Sequence, residues 1–458
     1  MPLILPDTAE NQQLSENVHP ADWVNPTPAG CYNLVVIGAG TAGLICAAGA
    51  AGLGAKVALI ERNLMGGDCL NTGCVPSKAL IRAARAVHDA RTASASGVLG
   101  GDSVGFDFAA AMKRMRRLRA AISQHDSARR FRDELGVDVY IGEGRLNGSD
   151  SVEVDGKTLR FKKAAICSGA QATAPPIPGL AETGYLTNET IFSLIELPPR
   201  LAVIGAGPIG CELAQAFSRF GSKVTLIDLS PTLLGREDHD AAKILQNSFV
   251  REGIDLQLGV KILKVEKQNT GRVVHLERDG QQIQITADQI LVGVGRIPNT
   301  EGLELQTAGV AFDTNGVKVN DRLQTTNANI YAAGDICSAY KFTHLADAQA
   351  RILLANALFT GRKKVSKLVI PWCTYTDPEI AHVGMYEQDA TARGISVTTL
   401  TIPLAEVDRA VLDSETDGFA RVHLRKGSDT ILGATIVARH AGEMINEFSR
   451  SEEHTSEL

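Results

Sequence analysis

Short apolar runs alternate along the chain with longer stretches of helical periodicity, and one such arrangement occurs twice. Residues 34–37 form an apolar run, followed by a glycine turn, an alanine-rich helical stretch over about 41–53 and a second apolar run at 57–60. That order predicts a strand–helix–strand unit. It returns as an apolar run at 201–204, a glycine turn at 205–210, a helix reaching about residue 220 and an apolar run at 224–227. Between the copies lie a charged segment with helical spacing, about 106–135, and short strands at 137–141 and 151–154.

The turn signals PPIPG at 175–179 and RIPNT at 296–300 bracket the second unit. They read as crossover points, so the second unit is expected as an insertion in the first domain, whose chain resumes near 298. The expected division is an extended arm over 1–33, a first domain over 34–176 and 298–368, and a second over 177–297. After Pro371 the pattern becomes a strand-rich meander at 381–383, 397–402, 419–424 and 431–437, which predicts a third, α+β domain over 369–449.

A chain of 458 residues exceeds what one core usually serves, and 44% apolar with 21% charged residues describes an ordinary globular enzyme. The net charge of -6 argues against nucleic acid as a partner. One basic run, Lys113 to Arg119, reads as the solvated face of a helix, with Met115, Leu118 and Ile122 interleaved. No apolar stretch of about 18 residues and no basic n-region with a long apolar core is present, so a cytoplasmic protein is expected and a membrane partner is not. Of eight cysteines only Cys69 and Cys74 are close in sequence. In a reducing compartment such a pair reads as catalytic, redox-sensing or metal-binding.

The first glycine turn is GAGTAG: Gly38, Gly40, Thr41, Ala42 and Gly43, with Glu61 closing the next strand. Gly38 permits the tight turn, Gly40 lets the backbone approach a pyrophosphate and Gly43 allows close helix packing, while Glu61 is placed to accept from ribose hydroxyls. The second turn, GAGPIG, has Gly205, Gly207 and Gly210, and Asp228 follows Gly205 at the interval separating Glu61 from Gly38. Two dinucleotide sites are therefore expected. A carboxylate at Asp228 suits free ribose hydroxyls, favouring NAD(H) over NADP(H), although Arg236 lies close enough in sequence for a loop to bring it back.

The segment GGDCLNTGCVPSKALIRAA places Cys69 and Cys74 just before a helix, where amides and dipole lower a thiol pKa. A structural disulfide and half of a zinc site are the alternatives, and zinc lacks further ligands nearby, so no resident metal is expected. The segment resembles the active disulfide of the FAD-dependent pyridine nucleotide-disulfide oxidoreductases, in particular lipoamide dehydrogenases and mercuric reductases. The resemblance implies two Rossmann-like domains, the NAD(P) domain inserted in the FAD domain, followed by a dimerisation domain. It makes Cys74 the flavin-proximal thiol, Cys69 the interchange thiol, Lys78 the lysine beside flavin N5 and Glu212 its acidic partner. It also implies that Asp335 and Gly334 in YAAGDI contact the ribityl chain, that Ser168 and Gly169 mark a crossover, and that Gly293, Gly295 and Arg296 form the nicotinamide-side loop. His344 is placed either beside the isoalloxazine or as a satisfied buried histidine. The bland reading of Lys78 and Glu212 is a pair of solvated helix charges.

The resemblance further implies an enzyme, a homodimer when full length, that passes hydride from NAD(P)H through FAD to the Cys69/Cys74 disulfide, and on to a small-molecule thiol, disulfide or Hg(II)-thiolate substrate. The DPEIAHVG segment leans toward the mercuric reductase-like branch. Dihydrolipoyl dehydrogenase is the close alternative, and a thiol-independent diaphorase or transhydrogenase a more distant one. There are departures. Pro208 stands where many relatives have a tyrosine lid, no Cys-x-x-Cys module precedes residue 34, and no second cysteine pair follows. HAGEMINEF at 440–448 resembles the middle of a dimerisation domain, whereas RSEEHTSEL at 450–458 matches one reading frame of a widely used sequencing adapter. Those nine residues are expected to be an artefactual tail and are left out of the fold reading, with the dimerisation domain incomplete.

Overall fold

The strand Cys31–Ile37 lies between Val57–Glu61 and Lys157–Ile166, parallel to both, in a seven-stranded sheet. In this computed structural model, which describes residues 4–28 and 30–455 with the backbone alone at 102 and 450–455, that sheet is the centre of the first domain. Leu34, Val35 and Val36 are fully buried because both faces of a parallel sheet are covered, which is why the strand reads as an unbroken apolar run. The helix Thr41–Gly52 packs against the helix Thr343–Leu358. Small residues make this approach possible: a Cβ on Gly49 would stand 2.6 Å from Leu354 Cδ1.

The second unit builds a four-stranded parallel sheet in the order Asp255–Leu258, Lys223–Asp228, Arg200–Ile204, Gln289–Val292, with a three-stranded antiparallel sheet beside it. The chain leaves the first domain along Ala170–Ala172 and returns along Arg296–Pro298, and these two segments pair antiparallel. Their pairing places the second unit as an insertion. The third unit is a five-stranded antiparallel sheet in the order Trp372–Thr374, Glu379–Gly384, Ile431–Ala438, Phe419–Arg425, Val397–Pro403. The helix Ala441–Thr455 packs on its strands Glu379–Gly384 and Ile431–Ala438. This is an α/β fold with an α+β third domain.

Three sequence expectations need correction. The arm is not simply extended, because Ala9–Val18 is a helix capped by Thr8. Its buried positions are Asn11, Leu14, Ser15 and Val18, a regular helical stripe. Half of that stripe is polar, so the apolar periodicity that announces a helix is missing. The charged segment is not one helix: Phe108–Ile122 ends in a 3-10 turn, and Ser127 caps a separate helix, Ala128–Asp133. Nor is its basic run wholly solvated, since Arg116 and Arg119 are only 5% and 4% exposed. The backbone at 450–455 lies in the helix Ala441–Thr455, and residues 456–458, Glu457 among them, lie outside the described residues.

Candidate active site

The two glycine turns are built alike. Gly38 has φ +101° and a Cβ there would collide with Cys167 O; Gly205 has φ +108° and a Cβ there would stand 2.6 Å from Gly293 O. Side chains on Gly43 and Gly210 would strike the carbonyls of Gly38 and Gly205, so each helix can start only over a bare backbone. Glu61 Oε2 accepts from the Ala39 amide at 2.7 Å and its Oε1 from the Asn63 amide at 2.8 Å. Asp228 does the same in the second unit, accepting from the Ala206 amide at 2.6 Å and the Ser230 amide at 2.7 Å. Each acid thus ties its glycine turn to the next strand end. Burial pushes the Glu61 carboxyl upward against the pull of those amides.

Both turns open into one cavity of ≈2160 Å³. Thr41, Ala42, Glu61, Ser168 and Gly169 line it on the first side, and Gly207, Asp228 and Arg236 on the second, with Cys69, Cys74, Lys78 and Glu212 between. Gly67 packs on Gly40 so closely that a Cβ would stand 2.6 Å from Gly40 Cα, which pins the segment preceding the thiols against the first turn.

Cys69 lies in the short helix Gly67–Asn71, and Cys74 is the first residue of Cys74–Thr92, where amides lack partners within the helix. The two thiols are within hydrogen-bonding reach of each other, and Thr343 Oγ1 is 3.2 Å from Cys74 Sγ. The hydrogen bond from Cys69 holds the Cys74 thiol down to about 6, with Thr343 and the Lys78 charge adding to it. That same bond and burial push Cys69 well above the usual thiol range. One sulfur is therefore prepared as thiolate and the other as its proton-bearing partner.

Lys78 Nζ is 3.0 Å from Glu212 Oε2, so these residues are not separate solvated charges. Burial opposes charge on Lys78, but the Glu212 carboxylate outweighs it and raises the ammonium above its usual range. Lys78 Nζ also stands 4.5 Å from the centre of the Tyr375 ring.

Arg296 pairs with two acids of the first domain. Its Nη1 lies 3.0 Å from Asp68 Oδ2 and its Nε 3.8 Å from Asp335 Oδ2, so it bridges the redox turn to the YAAGDI segment. Ser168 Oγ donates to Asn299 O at 2.9 Å and Gly169 has φ +70°, which fixes the crossing of the two strands. Gly334 donates its amide to Gln349 Oε1 at 2.8 Å; Gly295 lines the cavity beside Arg296. His344 is exposed rather than buried, stacked on Phe342 at 5.4 Å with its Nε2 2.7 Å from Pro371 O. Sequence reasoning missed Asp68, Thr343 and Tyr375. Asp68 adjoins the thiols and was findable; the other two are brought in by folding alone. Glu379, His440 and Glu443 place ligand-type atoms within 4.8 Å of one another, but Glu379 is already held by Arg85 at 3.1 Å and the Gly442 amide at 3.0 Å.

The sequence pattern of the pyridine nucleotide-disulphide oxidoreductases matches residues 32–350, and that of the same family's dimerisation domain matches 370–452. The chain belongs to this family. It is 36% identical to a mercuric reductase of Staphylococcus aureus over 95% of this chain and 79% of that protein. It is 31% identical to a dihydrolipoyl dehydrogenase of Bacillus subtilis (strain 168) over 91% of this chain and 90% of that one. Among solved structures it resembles the HOCl-induced flavoprotein disulfide reductase RclA from Escherichia coli, with a TM-score of 0.82, 29% identity, and 93% and 94% of the two chains covered. This family member is an FAD-dependent oxidoreductase with a pyridine nucleotide as partner. The side-chain-free cradle at Gly38 and Gly43, next to the pinned Gly67–Gly40 contact, fits FAD. Among the described residues no helix is long and apolar enough to cross a membrane.

Proposed function

We propose that this oxidoreductase is a homodimeric, NADH-preferring reductase of the mercuric reductase type, acting on a metal-thiolate or small disulfide through Cys69 and Cys74. The observation that carries this reading is the thiol pair itself, one sulfur prepared as thiolate at a helix start, in the cavity that both glycine turns share. Bound FAD supplies the two-electron connection between nicotinamide and sulfur. Two electrons delivered to a Cys69–Cys74 disulfide break the S–S bond, leaving a thiolate on Cys74 and, with one proton, a thiol on Cys69. Cys69 then exchanges with substrate while Cys74 keeps its charge. Lys78 holds positive charge beside that thiolate, and Glu212 keeps Lys78 protonated and in place. Asp228, fixed at the second glycine turn, suits the free ribose of NADH and repels a 2′-phosphate. Arg236 is exposed on the cavity wall.

A second reading is supported by extent of similarity. The dihydrolipoyl dehydrogenase relative is covered over 90% of its length and the mercuric reductase over 79%. Steady-state assays of the holoenzyme separate the two. NADH oxidation driven by Hg(II) in excess thiol, with dihydrolipoamide oxidised by NAD+ at least about 100-fold less efficiently, is the expected result. The reverse ranking overturns the proposal.

A further inference from the structure

The N-terminal segment is fastened to the cavity rather than trailing from it. Ile4, Leu5 and Leu14 line the cavity together with Gly38 and Glu61. Val18 O accepts from the Met65 amide at 3.2 Å, and His19 Nδ1 contacts Asn63 O, so the end of the helix Ala9–Val18 grips the loop 62–67. Further along, Trp23 Nε1 donates to Val139 O at 3.2 Å. Asn25 pairs with the backbone of Ile141 in both directions, at 2.9 and 2.8 Å. These bonds anchor the segment to the strand Asp138–Ile141.

Under this segment sits a cation that has no counter-ion among the described residues. Arg119 is 4% exposed and lines the cavity; it donates to Asn11 Oδ1 at 2.8 Å and to Asn71 O at 2.6 Å. Both acceptors are neutral, its Nε has no partner, and the charge acting on it is the like-signed Arg116. Burying a guanidinium without an anion costs free energy. Asn71, which receives one of its bonds, donates in turn to Met65 O and Gly67 O at 3.0 and 2.8 Å, and Gly67 is the residue pinned on Gly40. The unbalanced charge thus belongs to the wall of the first glycine turn, whose geometry fits a diphosphate.

We propose that residues 4–28 form a strap that holds loop 62–67 closed over the first dinucleotide, with Arg119 supplying the buried positive charge that the diphosphate of bound FAD balances. Burial lowers the Arg119 pKa to about 10, which leaves it charged at neutral pH. The segment therefore links chain ordering to retention of the flavin nucleotide.

The test uses full-length protein. Apoprotein of Arg119→Gln, Arg119→Lys and Asn25→Ala is titrated with FAD, release from the holoproteins is followed by flavin fluorescence after dilution, and the apoproteins are melted. Arg119→Gln is expected to raise the FAD dissociation constant about tenfold or more, with Arg119→Lys between it and the parent. Asn25→Ala, which cuts an anchor at a residue that does not itself line the cavity, is expected to speed FAD release several-fold with the apoprotein melting point unchanged. Unaltered FAD affinity in Arg119→Gln overturns the charge assignment. Unaltered release in Asn25→Ala, or faster release with a matching loss of apoprotein stability, overturns the strap.

Discussion

The Glu212 carboxylate lies 3.0 Å from Lys78 Nζ through one oxygen and accepts the Tyr375 amide at 3.0 Å through the other. A single buried side chain thereby joins the redox helix, the inserted domain and the first strands of the third domain. Glu212→Gln keeps the shape but removes the charge that holds Lys78 protonated. Because Lys78 is partly solvated, we expect a loss of only about 1–2 kcal/mol of stability. The reductive half-reaction should fall further, by roughly 100-fold or more (about 2.7 kcal/mol), as the positive charge beside the thiolate is no longer fixed. Stopped-flow reduction by NADH, read beside thermal melts, checks whether rate falls more than stability.

The reduced thiol pair should lose its first proton near pH 6. Cys74 is held below the usual thiol value, chiefly by the hydrogen bond from Cys69, while Cys69 is raised. The sign follows from linkage: a depressed acid stabilises the fold above its unfolded pKa, and that contribution disappears as pH falls through the folded value. Reduced wild-type protein should therefore gain stability over Cys74→Ser between about pH 6 and pH 8.5. Above that window the raised Cys69 acts in the opposite direction. Melts of both reduced proteins across this range test it, and a difference independent of pH would contradict the assignment.

Asp68 opposes ionisation at both sulfurs while holding Arg296, which also approaches Asp335. Asp68→Asn should shift the midpoint for thiolate formation downward and loosen the Arg296 bridge, at a cost of about 1 kcal/mol or more. The measurement is the pH dependence of alkylation in the reduced variant. A midpoint that moves upward would mean that Arg296, once released, turns away from the sulfurs.

Much of this arrangement was legible in the chain. Both strand–helix–strand units stand where the sequence puts them, each with an acid at the end of its second strand, because the signal is local: a continuous apolar run, a turn residue and an acid at fixed spacing. What escaped is non-local or polar. The N-terminal helix buries Asn11 and Ser15 along with Leu14 and Val18, so its inner face carries no apolar stripe. Arg116 looked solvated because its partner is a main-chain carbonyl, Leu194 O at 2.7 Å, which no charge pattern announces. Trp372 and Tyr386, from separate strands and turns, converge on Glu237 through Nε1 at 2.8 Å and the phenol at 2.5 Å. Only the folded third domain brings that partly buried carboxyl its partners.

The equivalence of the two glycine turns allows their ligands to be separated by parallel substitutions. At Gly38 and Gly205 φ is positive and the space for a Cβ is filled by a carbonyl, so alanine forces each turn open. Gly205→Ala should raise KM for NADH about tenfold or more while the purified protein stays yellow, since the Gly38 cradle is untouched. Gly38→Ala should instead yield protein with little bound flavin, its Gly205 turn unaltered. Flavin content per chain, measured with the NADH dependence of turnover, distinguishes the two outcomes. If Gly205→Ala lost flavin to the same extent as Gly38→Ala, the assignment of one dinucleotide to each turn would fail.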